Sequence, residues 1–292
     1  MQQLQQFIAT YVPQIEEHMR GEISRLQGPE SIKESMQYSL DAGGKRVRPL
    51  YVLAVLSLFE QDVTKGLPIA SAIEMMHTYS LIHDDLPCMD NDDFRRGKPT
   101  NHKVYGEDVA VLAGDALNSL CFGIIARMDA PAQVKIDLIT LLSDTAGAEG
   151  MVGGQVLDME GEKRSLNLQE LERVHVNKTG ALLRFSIESS AILAQADEQT
   201  RQALVNYAHH IGLAFQIQDD ILDIEGTTEQ LGKTAGKDVV SEKSTYPALL
   251  TLQGAKEKLN DHFEQAIAAL QHVSADTTLL QQFAAYIVKR TN

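Results

Sequence analysis

Cysteine is scarce in this sequence, and the cysteines present form no recognisable pattern. Cys88 and Cys121 are far apart in a chain of 292 residues and belong to no Cys-x-x-Cys motif. Their scarcity excludes a disulfide framework and a cysteine-ligated zinc site, and it is typical of proteins from a reducing compartment. We therefore expect a cytoplasmic protein.

Long apolar runs are lacking as well. A membrane-spanning helix needs about 18 or more consecutive apolar residues, and no uncharged run of that length occurs. The best candidate, residues 109–128, contains Asp115 and Arg127, so we expect a buried helix there. The N-terminal residues have neither the basic nor the apolar segment of a signal peptide. We expect no membrane insertion.

The chain has no excess of basic residues. Lys and Arg total 26 against 40 Asp and Glu, which gives a formal net charge of −14. A nucleic-acid-binding protein needs a basic surface to neutralise phosphates, so we expect no nucleic-acid partner. The overall field also disfavours an anionic substrate, an inference that the motifs described below contradict.

Strand signals are missing, whereas helix signals are strong. No sustained alternation and no Asn-Gly or Asp-Gly hairpin turn occurs. In residues 169–194 and 203–224, apolar residues recur every three or four positions, as on one helix face. No linker or internal repeat divides the chain. We predict an all-α fold, one domain over residues 1–292, with helices at 2–20, 31–40, 47–60, 66–84, 103–128, 131–160, 168–196, 198–224, 244–270 and 276–290.

A first acidic cluster follows the predicted helix 66–84. Residues 84–93 contain five aspartates, among them Asp84, Asp85 and Asp90. A solvated loop is the simplest interpretation of an acidic run. However, carboxylates at a helix C-terminus oppose the helix dipole and call for a compensating cation, and Mg²⁺ prefers oxygen ligands. Pro87 should interrupt the helix, so that Asp90 folds back towards Asp84.

The second acidic cluster lies inside the predicted helix 198–224. Asp219 and Asp223 are four residues apart and therefore share one helix face, with Asp220 beside them. Apolar neighbours such as Phe215 and Ile221 place these carboxylates next to a core rather than on a solvated face. If the two clusters face each other, they can hold divalent ions that clamp a diphosphate.

Basic residues occur beside glycines and near predicted helix ends. A lone histidine or glutamine on an apolar helical run is more often a core residue than a ligand. Several basic residues beside glycines or near helix ends in an acidic chain nevertheless indicate a local site for a polyanion. The candidate site residues are these basic residues and the glycine and polar residues near them: Gly44, Lys45, Arg48, His77, Arg95, Arg96, Lys178, Thr179, Gln216, Lys233 and Lys237.

Together these motifs resemble the trans-isoprenyl diphosphate synthases, in particular the bacterial farnesyl diphosphate synthases. The motifs are Asp-Asp-x4-Asp at 84–90, Asp-Asp-x-x-Asp at 219–223, Gly-Gly-Lys-Arg-x-Arg-Pro at 43–49, Arg-Arg-Gly-Lys-Pro-Thr at 95–100 and Gly-Lys-Thr-x-Gly-Lys-Asp at 232–238. Their order and spacing match over about residues 30–250. The resemblance implies a large helical bundle around a deep central cavity, the isoprenoid synthase fold, and a homodimer.

The resemblance also implies a metal site and a reaction. Head-to-tail condensation of isopentenyl diphosphate with dimethylallyl or geranyl diphosphate would give farnesyl diphosphate. Asp84, Asp90 and Asp219 would bind about three Mg²⁺ ions, with Mn²⁺ as an alternative. Asp85, Asp220 and Asp223 would assist them.

The remaining implied roles divide between the two substrates. Arg95, Lys178 and Lys233 would bind the allylic diphosphate, and Thr179 and Gln216 would lie beside the allylic carbon. The isopentenyl diphosphate site would contain Gly44, Lys45, Arg48, His77 and Arg96. A lid would include Lys237 and Asp238, and Tyr79 and Ser80 would limit the product length.

Three alternatives stay open. A geranylgeranyl diphosphate synthase would share the motifs, and only Tyr79 favours the shorter farnesyl product. A metal-dependent phosphohydrolase using His83 and Asp84 would leave the second acidic cluster and the basic residues unexplained. A non-catalytic regulatory subunit would be expected to lose one aspartate motif, and this chain has both.

Overall fold

The structure, a computed structural model, describes residues 1–226 and 244–290 of the chain. Helices dominate these residues, which confirms the predicted all-α fold. The α-helices are α1 (Gln2–Ser24), α2 (Glu30–Leu40), α3 (Val47–Leu56), α4 (Leu67–Asp84), α5 (Asn101–Tyr105), α6 (Glu107–Arg127), α7 (Ala132–Ala146), α8 (Met151–Gly161), α9 (Leu168–His175), α10 (Ala181–Leu193), α11 (Glu198–Glu225), α12 (Tyr246–Leu270) and α13 (Thr278–Lys289).

Shorter elements complete the description. Two 3₁₀ turns, Ser57–Phe59 and Val63–Gly66, connect α3 to α4, and one π-helical turn, Val176–Gly180, joins α9 to α10. The strands found in the described residues are β1 (Phe94–Arg95) and β2 (Lys98–Pro99), which pair as a small antiparallel hairpin.

Helix α4 lies at the centre of the core. From Ile69 to Met76 every residue is buried, so this helix is surrounded by other helices rather than amphipathic. It packs against α1, α3, α6 and α10. The buried apolar side chains form one connected cluster, and the single-domain organisation stays our prediction. Because α4 ends at Asp84, the core itself fixes the position of the first acidic cluster.

Helix α11 likewise fixes the position of the second acidic cluster. Its buried face runs from Ala203 to Asp223 and packs against α10 and α12. The hydroxyl groups of Tyr51 and Tyr207 lie 3.1 Å apart, and that of Tyr207 donates to the Leu280 carbonyl at 2.8 Å. These buried hydrogen bonds tie α3, α11 and α13 together.

Four predicted helices are wrong in their continuity, one of them the predicted helix 244–270, which has a kink at Thr251, whose φ of 68° is not helical. The predicted helix 131–160 is broken between Ala146 and Met151. The Gly150 backbone lies so close to the preceding turn that a Cβ at this position would be 2.7 Å from the Asp144 carbonyl oxygen. The predicted helix 103–128 is interrupted at Gly106, which has a φ of 91°. The predicted helix 168–196 contains the π-helical turn. Periodicity alone does not reveal such local interruptions.

Helix α6 is, within residues 1–226 and 244–290, the one helix long and apolar enough to cross a membrane by length and composition. It packs against α4 and α7, as the sequence predicted for a core helix. Val111 and Leu112 on its outer side are 39% and 55% exposed.

Candidate active site

A cavity of about 640 Å³ opens between α4, α8, the π-helical turn and α11. Its volume lies in the range typical of small-molecule sites. The cavity brings together ten of the residues that the sequence predicted for the site, namely Arg48, His77, Tyr79, Ser80, Asp84, Arg95, Arg96, Lys178, Thr179 and Gln216. The other predicted residues lie around it or outside the described residues.

The first acidic cluster folds back on itself as predicted. After α4 ends, the Asp90 N–H donates to the Asp84 carbonyl at 2.9 Å, so the two aspartates come together across the turn that contains Pro87. Burial, and then the neighbouring Asp90 and Asp85, raise the pKa of Asp84 to about 6, against the opposing charges of Lys178 and Arg95. Carboxylates held together in this way fit a divalent cation.

Asp85 already has a strong partner. The Arg95 guanidinium donates to it from Nε to Oδ2 at 2.9 Å and from Nη2 to Oδ1 at 2.6 Å, and Asp85 is 3% exposed. The β1–β2 hairpin positions Arg95 for this bidentate contact. Arg95 therefore joins the acidic cluster to the cavity wall that it lines.

The second acidic cluster is less assembled for a metal. Asp219 accepts from Arg290 Nη2 at 2.5 Å, Asp220 accepts from the Tyr246 N–H at 2.9 Å, and Asp223 is 3% exposed. Among the described residues, no three His, Cys, Asp or Glu side chains converge as a preformed metal site. The donor chemistry nevertheless fits Mg²⁺, because half-buried Asp219 and exposed Asp90 offer carboxylate oxygens.

The π-helical turn places Lys178 and Thr179 in the cavity wall. Such turns widen a helix by one residue and are frequent at functional sites. Lys178 Nζ donates to Asp158 Oδ2 of α8 at 2.6 Å. Gly154, one turn earlier on α8, lies so close that a Cβ there would be 2.6 Å from the Lys178 Cα. Helix α8 thus contacts both the backbone and the ammonium group of Lys178.

Sequence reasoning missed Gly154 and Asp158. They are four residues apart and so lie on one face of a helix. A single acidic residue in a helix is usually solvated. In the sequence, only the spacing of Asp158 from the glycine pair at 153–154 distinguishes it from other acidic residues.

A cationic group lines the other part of the cavity. Arg48 Nε is buried and has no hydrogen-bond partner in the described part of the chain. Burial, followed by the charges of Arg48, Arg96 and two further arginines, holds the pKa of His77 well below its ordinary value. A neutral imidazole among guanidinium groups with unused donors fits a bound anion.

Gly44 and Lys45 lie at the edge of this cationic group. Gly44 has a φ of 131°, and a Cβ there would lie 2.7 Å from the Arg96 guanidinium carbon. This close approach lets Arg96 donate to the Gly43 carbonyl. Burial and the Arg290 charge lower the pKa of Lys45.

Aromatic and polar side chains line the remainder of the cavity. Tyr79 is 7% exposed and packs edge-to-face on His83 with ring centroids 5.6 Å apart, and burial raises its pKa to about 12. Ser80 donates to the His77 carbonyl at 2.9 Å. Gln216 Nε2 lies 3.3 Å from His175 Nδ1. Met151, Val156 and Leu182 also line the cavity, so uncharged and apolar side chains together form a wall that suits a hydrocarbon tail.

Lys233, Lys237 and Asp238 lie outside the described residues. Their roles in binding and in a lid stay predictions.

Comparisons with known proteins support the same interpretation. The family model described as "Polyprenyl synthetase" matches residues 29–283. The farnesyl diphosphate synthase of Geobacillus stearothermophilus is 49% identical over 290 residues, which cover 98% of both chains. The geranylgeranyl diphosphate synthase of Cyanophora paradoxa is 44% identical over 90% of this chain and 89% of that protein. An FPP/GFPP synthase from Zymomonas mobilis superposes with a TM-score of 0.88 at 37% identity, over 98% of this chain and 99% of that chain.

Gly154→Ala tests the close approach of α8 to Lys178. Alanine normally stabilises a helix interior relative to glycine, but here the added Cβ meets backbone. We expect the free energy of unfolding to fall by about 1–3 kcal/mol, measured by denaturant titration. In Gly123→Ala the Cβ would meet only the flexible end of Arg127, so this control should be neutral or stabilising. Equal stability of Gly154→Ala and wild type would contradict the close approach.

Proposed function

We propose that this chain, which belongs to the polyprenyl synthetase family, is a farnesyl diphosphate synthase. It condenses isopentenyl diphosphate head-to-tail with dimethylallyl diphosphate and then with geranyl diphosphate. The observation that carries this proposal is one cavity with two chemically different ends. We call the part of the cavity wall that contains Asp84 and Lys178 the acidic end, and the part that contains Arg48, His77 and Arg96 the cationic end. The two parts adjoin, since the charge of Asp219 acts on both Lys45 and Arg48.

The two ends suit two different diphosphates. The cationic end contains Arg48, whose Nε has no hydrogen-bond partner among the described residues, and no carboxylate stands among Arg48, His77 and Arg96, so it suits isopentenyl diphosphate without a metal. The charges of Glu74 and Asp219 act on Arg48 from outside this group. The acidic end would suit an allylic diphosphate only with bound cations, because its carboxylates repel the phosphates. Asp84, Asp90 and Asp219 would hold Mg²⁺ there, with Asp85, Asp220 and Asp223 in support. When bound, the metal would neutralise charge on the leaving diphosphate.

The reaction follows from this placement. The bond between the allylic carbon and its diphosphate oxygen breaks, and both electrons leave with the diphosphate. Lys178 and Arg95 stabilise that developing negative charge. The double bond of isopentenyl diphosphate then attacks the allylic carbon, and the new carbon–carbon bond leaves a cation that loses one proton. The released diphosphate accepts this proton.

Polar groups beside the allylic carbon stabilise the cation while water is kept out. Thr179 and Gln216 place neutral dipoles in the cavity wall. Phe215 and Leu182 line the same region and exclude water, which would otherwise convert the cation to an alcohol.

The product length is set below the acidic end. Tyr79 lies five residues before Asp84 on α4, which places it about 7.5 Å further along the helix axis. With Ser80 beside it, the aromatic ring limits the space for the growing tail and favours a fifteen-carbon product. Geranylgeranyl diphosphate is the second candidate product, because a relative with that activity is 44% identical to this chain.

The protein would act as a cytoplasmic homodimer. The exposed Val111 and Leu112 on α6 are candidate residues for a contact between two copies, since burial stabilises exposed apolar side chains.

The proposed reaction is tested by incubation with MgCl₂, isopentenyl diphosphate and either allylic primer, followed by mass spectrometry of the dephosphorylated products. We expect farnesol from both primers. Asp219→Ala should lower turnover by about a hundredfold or more because it removes stabilisation of the leaving group. Asp137→Ala, which removes an exposed acid on α7, should retain turnover within about twofold. No elongation of any primer would refute the proposal.

Tyr79→Ala tests the product length. Removing the ring enlarges the cavity, so we expect products longer than fifteen carbons in the same mass-spectrometric assay. Tyr105→Ala, outside the described cavity lining, should leave the product length as in wild type. An unchanged product distribution for Tyr79→Ala would remove Tyr79 from this role.

A further inference from the structure

One of the cations in the segment 43–49 points away from the cavity. Arg46 is 3% exposed and is not among the described residues that line the cavity, whereas Arg48 is. Its φ of 50° and ψ of 32° are left-handed, a conformation that is unfavourable for a non-glycine residue. A strained backbone and a buried charge at one residue need a compensating set of contacts.

The contacts of Arg46 connect three helices. Its Nη1 donates to Glu74 Oε1 of α4 at 2.7 Å, and its Nη2 donates to the Leu40 carbonyl of α2 at 2.6 Å. Nε and Nη2 also reach Glu16 Oε1 of α1 at 3.3 and 3.2 Å. Glu74 is itself 3% exposed, and Arg46 is its hydrogen-bonded partner, while the charges of Arg48 and Arg96 also interact with it.

The same contacts connect the two parts of the cationic end of the cavity. Arg46 lies between Lys45 and Arg48 in the chain. Glu74 precedes His77 by three residues on α4, so both side chains lie on neighbouring positions of one helix face. The Arg46–Glu74 pair therefore fixes the segment that carries Lys45 and Arg48 relative to the helix that carries His77.

Stability alone is a poor explanation of this pair. A buried ion pair can often be replaced by neutral residues of similar volume without loss of stability, because desolvation of both charges offsets their attraction. A buried ion pair that fixes the relative position of two parts of a binding site contributes to ligand binding instead.

We propose that Arg46 and Glu74 are positioning residues for isopentenyl diphosphate, which they do not touch. They hold Lys45, Arg48 and His77 at the spacing that the diphosphate requires. This inference rests on the proposed function, since it concerns the same substrate.

The test is the double variant Arg46→Met/Glu74→Gln, in which both buried charges are removed together. We expect it to fold, with a KM for isopentenyl diphosphate raised by about tenfold or more and a KM for geranyl diphosphate within about twofold of wild type. Glu188→Gln is the matched control, because Glu188 is 2% exposed and pairs with Arg184 and Arg201 away from the described cavity lining. It should leave both KM values as in wild type.

Calorimetric titration of isopentenyl diphosphate separates this inference from the proposed reaction, because binding is measured without turnover. Weaker binding to the folded double variant, with unchanged binding to Glu188→Gln, supports the inference. Equal binding to the double variant and wild type overturns it. A wild-type protein that does not bind isopentenyl diphosphate overturns the proposed function and the inference together.

Glu16→Gln provides the same comparison if the double variant does not fold. The Glu16 side chain is 29% exposed, so its neutralisation leaves the core intact while it loosens the outer contact of Arg46. We expect the KM for isopentenyl diphosphate alone to rise, and an unchanged KM would overturn the inference.

Discussion

Electrostatic repulsion between carboxylates at one end of a single cavity is the constraint on which the rest of this site depends. Asp84 is drawn close to Asp90 by a backbone hydrogen bond across the turn that follows α4. In the structure the nearby acids are balanced by side chains, with Arg95 on Asp85 and Arg290 on Asp219. A metal-bound diphosphate can take over this balancing role. We therefore expect the acidic end to assemble around its ligands rather than before them.

This constraint changes the meaning of the net charge. Eight of the 40 acidic residues belong to the two aspartate clusters, so a large part of the negative charge is local and suited to metal binding. At the other end of the cavity we propose that Arg46 and Glu74 position a cationic group. The proposed binding of two anions is therefore compatible with a net charge of −14, because Mg²⁺ would supply positive charge at one end and basic side chains supply it at the other.

Much of the fold and part of the site follow from the sequence. An apolar run ahead of the first aspartates predicted α4, apolar periodicity predicted α11, and Pro87 predicted the return of Asp90 towards Asp84. The π-helical turn did not follow, since a one-residue shift of hydrogen bonding leaves no mark on periodicity. Asp158 resembled any solvated acid. The contact of Arg290 with Asp219 joins residues 71 positions apart, and such a tertiary contact leaves no local pattern.

The most direct test of this account is a calorimetric comparison of geranyl diphosphate and isopentenyl diphosphate binding, with MgCl₂ and with EDTA. The account predicts that Mg²⁺ tightens geranyl diphosphate binding by about tenfold or more, because Asp84, Asp90 and Asp219 repel a bare diphosphate. It predicts little change for isopentenyl diphosphate, whose site is formed by Lys45, Arg48 and their basic neighbours. Geranyl diphosphate binding that is equally tight in EDTA would contradict it.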